Sequence, residues 1–499
     1  MKMIYNVKDK PKFGQLIVFA FQQLLAIMAA TIAVPMIIGN GMSTSAALFG
    51  AGIGTLVYVL FTKAKSPVFL GSSFAFLGAM FAAFSGAASA GLGYVGLIIG
   101  AALAGLVYVV IALIVKFAGV KWINKIMPAV VIGPIVAIIG LSLAGNAIGD
   151  LTKVNYSEPV DMAQVQVAEV DTVNDDGTIT GSVVAVNEDG TVNPTITVTK
   201  DGSGLVSGTS QPGSPYVAII CGLVTLAVVM LCSVYGKKMA RLIPFIIGIL
   251  AGYLVATIFY FIGKATGNAA LMVIDYSALI NNFKEVSFSS FIAMPDFSFL
   301  KAFGAFGEIN GAYIGTIAAA YVPVAFVVFA EHIADHKNLS SIIGQDLLED
   351  PGLSRTLLGD GIGSMVGAFF GGCPNTTYGE SIGCVAITKN ASVSTIIVTA
   401  FEAIIISFIA PFVAFLSTIP SCVMGGVCIA LYGFIAVSGL KMLQKVDLDD
   451  HRNLFTASVI LITGVGGFIL TFGTITVTTV ACALILGILT NVMLGKKKA

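Results

Sequence analysis

The sequence has little charge. Of its 499 residues only 10% are Asp, Glu, Lys or Arg, against 57% hydrophobic, whereas a soluble domain carries about 25% charged residues. With a mean hydropathy of +0.96, the composition excludes a soluble globular protein and implies a polytopic one in a lipid bilayer. Acidic and basic residues balance at 26 each, with no basic tract suited to nucleic acid, so none is expected as a partner. Trp122 is the one tryptophan, so there is no Trp belt at the membrane interfaces, although Tyr and Phe are plentiful. The seven cysteines lie in or beside apolar runs and form no CxxC pair. Neither a zinc site nor a disulfide framework is signalled, and they read as small packing residues. No metal-ligand cluster, nucleophile elbow or phosphate loop appears. The chain therefore does not read as an enzyme and implies no cofactor.

What it does have is long apolar runs and 56 glycines, as expected where helices pack closely in lipid. Crossing the hydrocarbon takes about 20 apolar residues. Spans are expected near 14–38, 44–62, 68–86, 91–115, 123–147, 215–235, 241–263, 312–334, 356–372, 375–389, 394–417, 421–441, 454–470 and 472–494. The charged segment before residue 13 leads into an apolar run without a small-residue cleavage site, so that run reads as the first span. With fourteen spans and both termini cytoplasmic, only Lys153, Lys200, Lys264, Lys284 and Lys301 of the 26 basic residues fall outside. That is the bias of the positive-inside rule, and it indicates a multi-pass membrane protein with both ends on the cytoplasmic side.

Residues 148–214 are polar, alternate Val, Ile and Thr, and repeat Asp-Gly, which reads as an external insertion with β-hairpin character. A second external loop, 265–311, spaces Phe residues among polar ones and is expected to lie along the membrane or over the bundle. Pro128-Ala129-Val130-Val131-Ile132-Gly133 begins span 5, and Pro420-Ser421-Cys422-Val423-Met424-Gly425 begins span 12. Seven spans also separate the interrupted third span, around Gly71-Ser72-Ser73, from the interrupted tenth, around Pro374-Asn375-Thr376-Thr377. An odd repeat inserts its second copy upside down. The expected fold is thus all-α, with two inverted seven-span repeats and short broken or strand-like stretches in spans 3 and 10. Paired interruptions of this kind point to a midplane transport site.

An unpaired charge near the bilayer centre costs on the order of 2.5–3.5 kcal/mol on insertion scales, so charges placed there mark function. Glu331 ends the run Tyr321–Ala330, with His332, Asp335 and His336 after it; Glu380 sits in the broken tenth span. Glu331 and Asp335, four apart, share a helix face, and His332 points elsewhere. Glu331 and Glu380 are the candidates for binding substrate and a proton, since a carboxylate out of water can exchange a proton near neutral pH. The alternative for each is a structural carboxylate bonded to a helix end. Asp335 and His332 are further candidates for proton coupling, His332 reading mainly as a local hydrogen-bonding group. His336 is expected at the cytoplasmic mouth and Glu402 as structural. Where helices break, at Phe74 and at Tyr378-Gly379, free backbone N–H groups face inward. Carboxylate acceptors beside backbone donors suit a planar ligand bearing N–H and C=O groups. Phe74 or Tyr378 would stack on it, plain packing being the alternative.

Several of these stretches carry a resemblance. Ala330-Glu331-His332-Ile333, Asp346–Leu353 and Pro374–Lys389 look like bacterial uracil permeases of the nucleobase–ascorbate transporter family. So do Gly71–Phe76 and Met424-Gly425-Gly426-Val427 followed by Leu431-Tyr432-Gly433. The resemblance covers the chain apart from 148–214. It implies fourteen spans, a core domain (14–115 and 312–417) and a gate domain (123–147, 215–263 and 421–494). It implies a homodimer and proton-coupled symport of a nucleobase. It places the base between Glu331 and Glu380, with backbone contacts at Phe74 and Gly379, and Tyr432 as a gate residue. Glutamate at the Glu380 position is typical of uracil carriers, where purine carriers usually have Gln. Three positions depart from the family pattern: Ser381 where Asn is usual, Gln22-Gln23 where a Gln-His pair is usual, and Asp335 where a histidine stands. A xanthine or urate symporter of the same family stays open as an alternative, as does an anion transporter on the same scaffold.

Overall fold

A computed structural model describes residues 3–119, 128–160, 166–173, 179–186, 196–200, 206–237, 239–472 and 475–495. Trp122 and the first residues of the expected fifth span lie outside the described residues. Among those described, eight helices are long and apolar enough to cross a bilayer: Phe13–Ile38, Thr44–Phe61, Ala90–Ala118, Ala129–Leu151, Pro215–Tyr235, Pro244–Thr266, Gly311–Ile343 and Ser421–Leu443. Several turn apolar side chains outward. Leu250, Leu254, Ile258 and Phe261 stand exposed on one face of Pro244–Thr266, spaced as a helical stripe. Exposed apolar area of this extent is unfavourable in water and suits lipid.

The other six expected spans depart from a continuous long apolar helix, each for a local reason. The third becomes a strand, Leu70–Ser72, a tight turn, Phe74–Phe76, and a nine-residue helix, Leu77–Ser85. The tenth becomes a strand, Asn375–Thr377, and the helix Gly379–Thr388. The ninth is the helix Leu353–Gly371, whose hydropathy is diluted by Asp360 and its glycines. The eleventh divides into Val393–Ile406 and Ala410–Ser417. The last two, His451–Val465 and Thr479–Met493, flank a short antiparallel strand pair, Leu470–Phe472 with Ile475–Val477.

The two interrupted segments meet. Leu70–Ser72 pairs antiparallel with Asn375–Thr377, with Gly71 opposite Thr376, and all six residues are buried. Ser73 N–H donates to Pro374 O (2.9 Å) and Tyr378 N–H to Phe69 O (3.2 Å), extending the pairing at both ends. Each broken stretch thus supplies the backbone partners that the other lacks, the condition for non-helical backbone at membrane depth. Side chains complete it: Leu70 N–H donates to Thr55 Oγ1 (3.0 Å), and Asn375 Nδ2 donates to Gly50 O (3.0 Å).

Glycine permits the packing behind this pair. A Cβ on Gly50 would lie 2.4 Å from Gly367 O, and one on Gly54 2.7 Å from Gly363 O. Glycines four apart on Thr44–Phe61 therefore face glycines four apart on Leu353–Gly371, and the backbones touch. Ala90–Ala118 packs on the same helix from the other side, while Val393–Ile406 packs on Phe13–Ile38 and Thr44–Phe61. Elsewhere Ser421–Leu443 packs on Ala129–Ser142, Ala144–Leu151 and Pro215–Tyr235.

In the polar insertion, Gln166–Val173 pairs antiparallel with Ile179–Val186, and Val206–Ser210 lies between Glu158–Val160 and Ile196–Lys200. The 265–311 loop forms short helices and turns over one end of the bundle. Phe297 is buried there against Phe49 and Phe370, while Phe288 and Phe291 stay exposed. Lys301 pairs with Asp296 and sits over the Tyr94 ring.

Candidate functional site

Helix Gly311–Ile343 carries Glu331 and Asp335 one turn apart on one face. Helix Gly379–Thr388 starts where the buried strand ends, with Tyr378 as its N-cap, and puts Glu380 in its first turn. Phe74 begins the turn that follows the partner strand. All four face one cavity of about 250 Å³. Ser73, Ala75, Thr376, Thr377, Tyr378 and Gly379 complete its polar side, while Val136, Ile139, Leu431, Phe434 and Ile435 form an apolar wall opposite. Three carboxylates line it and no Lys or Arg does. Glu331 and Glu380 are both partly exposed to this space. Asp335 is already engaged, accepting a hydrogen bond from Thr377 Oγ1 (2.7 Å). The cavity thus offers carboxylate acceptors on one flank, the starts of two short helices on another and an apolar cover. That combination can hold a flat, uncharged ring with N–H donors along its edge.

The other expected residues sit at graded distances. Gly379 is exposed, and a Cβ there would meet nothing within 4 Å, so backbone is open to the cavity at that point. Tyr378 borders the cavity but is held as wall: its hydroxyl donates to Ser72 O (2.7 Å), and its ring lies against Gly71, where a Cβ would come within 2.3 Å of it. Tyr432 does not line the space. Its buried ring meets Phe74 edge-on, centroids 6.3 Å apart, and so backs the aromatic that does.

His332 turns away from the cavity. Its Nδ1 bonds Asp360 Oδ2 (2.7 Å) and its Nε2 bonds Thr356 Oγ1 (3.0 Å), both on Leu353–Gly371. His336, expected at a mouth, is instead buried, joined by Nε2 to Tyr58 OH (2.7 Å) and by Nδ1 to His332 O (2.8 Å). His336, five residues beyond Glu331, would stand at a mouth only if the helix ended there, and this helix runs on to Ile343.

Sequence reading missed three participants. Asp360 is 1% exposed and is the partner of His332; its signal was a lone carboxylate between Gly359 and Gly361. Thr377 is the partner of Asp335. Gln23 Nε2 donates to Ser381 Oγ (2.5 Å), which also accepts from Phe69 N–H (3.0 Å). The serine at this atypical position thus fastens the Glu380 helix to the first span and to the approach of the strand. Among the described residues no group of three or more His, Cys, Asp and Glu is arranged to hold a metal ion.

The sequence profile of the permease family matches residues 14–174 and 196–472. The chain belongs to that family. The permease is 36% identical to a uracil permease of Bacillus caldolyticus over 508 aligned positions, covering 100% of this chain and 96% of the relative. It is 35% identical to a uracil permease of Bacillus subtilis (100% and 96%) and 33% identical to one of Escherichia coli K12 (97% and 92%). The signature stretches around Glu331 and Glu380 therefore pointed to the right family. Among solved structures, the transmembrane domain of a cyanobacterial bicarbonate transporter, BicA, aligns with TM-score 0.55 at 13% identity, covering 98% of this chain and 100% of that one. SLC26A9 aligns with TM-score 0.57 at 12% identity, covering 97% and 66%. At such identity the likeness concerns the fold alone. The permease is a multi-pass membrane protein of a transporter family and not an enzyme.

Proposed function

We propose that this permease imports uracil together with a proton across the bacterial plasma membrane. The observation that carries the reading is the cavity in which Glu331 and Glu380 face one space beside two paired helix breaks. Uracil has two ring N–H groups and two carbonyls on a flat ring. Glu331 and Glu380 accept from the N–H groups, the backbone at Phe74 and Gly379 meets the carbonyls, and Phe74 covers a face. The full-length uracil permease relatives support the choice of base. The absence of Lys and Arg from the cavity lining argues against an anion as cargo, despite the bicarbonate-transporter likeness of the fold.

Uracil is neutral, so a co-transported proton lets the membrane potential drive accumulation. A potential of 100 mV supplies about 2.3 kcal/mol per charge, roughly 50-fold in concentration. One carboxylate takes up the proton as the base seats, and the assembly carrying Glu331 and Glu380 then moves against the apolar wall from Ala129–Ser142 and Ser421–Leu443. Fourteen crossings in two inverted halves, core and gate domains with Tyr432 on the gate, cytoplasmic termini and a pair of copies belong to this reading.

Labelled-uracil uptake into proteoliposomes tests it. An imposed inward proton gradient is expected to speed uptake and its collapse to abolish accumulation, while excess xanthine competes poorly. Uptake indifferent to the gradient removes the proton from the mechanism, and competition by xanthine equal to that by uracil moves the cargo to purines.

A further inference from the structure

Next to the carboxylate cavity lies a larger one, of about 500 Å³. The two share Ala334 and Met442 in their walls, so they are adjacent. Ala129, Ile132, Phe329 and Ile333 make the second cavity apolar, while Lys337 and Lys445, both exposed, border it from two different segments. Lys337 belongs to the helix that carries Glu331, and Lys445 follows the helix Ser421–Leu443 that carries Tyr432. No Asp or Glu lines this cavity, and neither lysine has an ion-pair partner among the described residues.

We propose that the second cavity binds the phosphate of a pyrimidine nucleoside monophosphate whose base occupies the carboxylate cavity, so that a phosphorylated derivative of the cargo blocks the permease. The inference rests on the uracil reading above and adds a regulator to the same site. Charge selects the ligand class: two exposed ammonium groups without an ion-pair partner among the described residues, set at the edge of an apolar cavity, favour a doubly charged phosphate over a neutral tail. Spacing selects the nucleotide. Lys337 lies six residues beyond Glu331, which is about 9 Å along a helix axis, the order of separation that a ribose imposes between a pyrimidine ring and its 5′-phosphate. The base keeps the N3–H and both carbonyls when N1 carries the sugar, so one carboxylate retains its hydrogen bond. The positions of the lysines select inhibition over transport. A phosphate held by both ties the Glu331 helix to the Tyr432 helix, and the relative movement that carries the base across is arrested.

The test uses the purified full-length permease, with displacement of labelled uracil as the readout. Uridine 5′-monophosphate is expected to displace uracil at a concentration about tenfold or more below that needed for uridine, the factor that one charge-assisted hydrogen bond provides. In the Lys337→Gln, Lys445→Gln double variant that preference disappears, and uracil itself binds within about twofold of the parent; the corresponding double Arg variant keeps it. Equal potency of nucleotide and nucleoside overturns the proposal. So does a double Gln variant that keeps the preference, inorganic phosphate alone acting as well as the nucleotide, or displacement of uracil by phosphatidylglycerol vesicles. A permease that binds no uracil at all removes the transport reading and this inference with it, whereas uracil binding without a nucleotide preference removes this inference alone.

Discussion

Thr377 joins the two interrupted halves of the site to the long helix, because its hydroxyl donates to Asp335. Thr377→Val keeps the shape and removes the donor. The expected result is a lower unfolding temperature of the empty protein, since an internal hydrogen bond is worth about 1 kcal/mol net and Asp335 loses its donor, together with a uracil affinity lower by roughly fivefold. Gly379 makes a complementary case. Its Cβ position faces open space, so Gly379→Leu is tolerated by the fold and adds bulk to the cavity. Binding of uracil is expected to be lost in equilibrium dialysis while the unfolding temperature holds or rises, a helix gaining from the replacement of Gly. At this scale Glu331 and Glu380 were legible because a carboxylate within an apolar run is rare and costly. Asp360 was not, because its meaning depends on His332 of another helix, 28 residues away in the chain. The same holds for Ser381, which is explained only once Gln23 is seen beside it.

The strand pair is the element on which the site depends. Its partners stand some 300 residues apart in sequence, and each strand has only three residues, too short for alternation to show. The interruptions were visible as Gly, Ser and Pro clusters; that they hydrogen-bond to each other was not, since register between distant segments is set by packing. Gly50 supports the pair twice, by admitting Gly367 at backbone distance and by accepting the Asn375 amide. Gly50→Val is therefore expected to lower both the unfolding temperature and uracil binding, overpacking alone costing about 1–3 kcal/mol. Circular dichroism melts and ligand binding on the same preparation check the two together; a stable variant that binds normally would deny the strand pair its role. The divided eleventh span, Val393–Ile406 and Ala410–Ser417, was read as one helix because its break at Ser407-Phe408-Ile409 is mostly apolar and hydropathy alone does not register it.

Over the whole molecule, apolar length fixes the membrane class, and eight helices among the described residues satisfy it outright. The other expected spans are interrupted by the strands, glycines and buried carboxylate found around the candidate site, so counting by hydropathy is least effective there. Charge asymmetry is what led the sequence reading to expect an even count. The proposed fourteen crossings put the insertion and the termini on opposite faces. A protease-cleavable tag within 187–195 is expected to be cut on intact cells, and one at the C-terminus only after lysis. Cleavage of both tags from the same side would contradict fourteen crossings.

The central claim is that Glu331 and Glu380 hold the base between them, and equilibrium binding of labelled uracil to the folded parent, Glu331→Gln and Glu380→Gln proteins addresses it most directly. Each variant is expected to keep its unfolding temperature when empty and to lose roughly 10- to 100-fold in uracil affinity, the range for a hydrogen bond to a charged group. Either variant binding uracil as tightly as the parent would contradict the account.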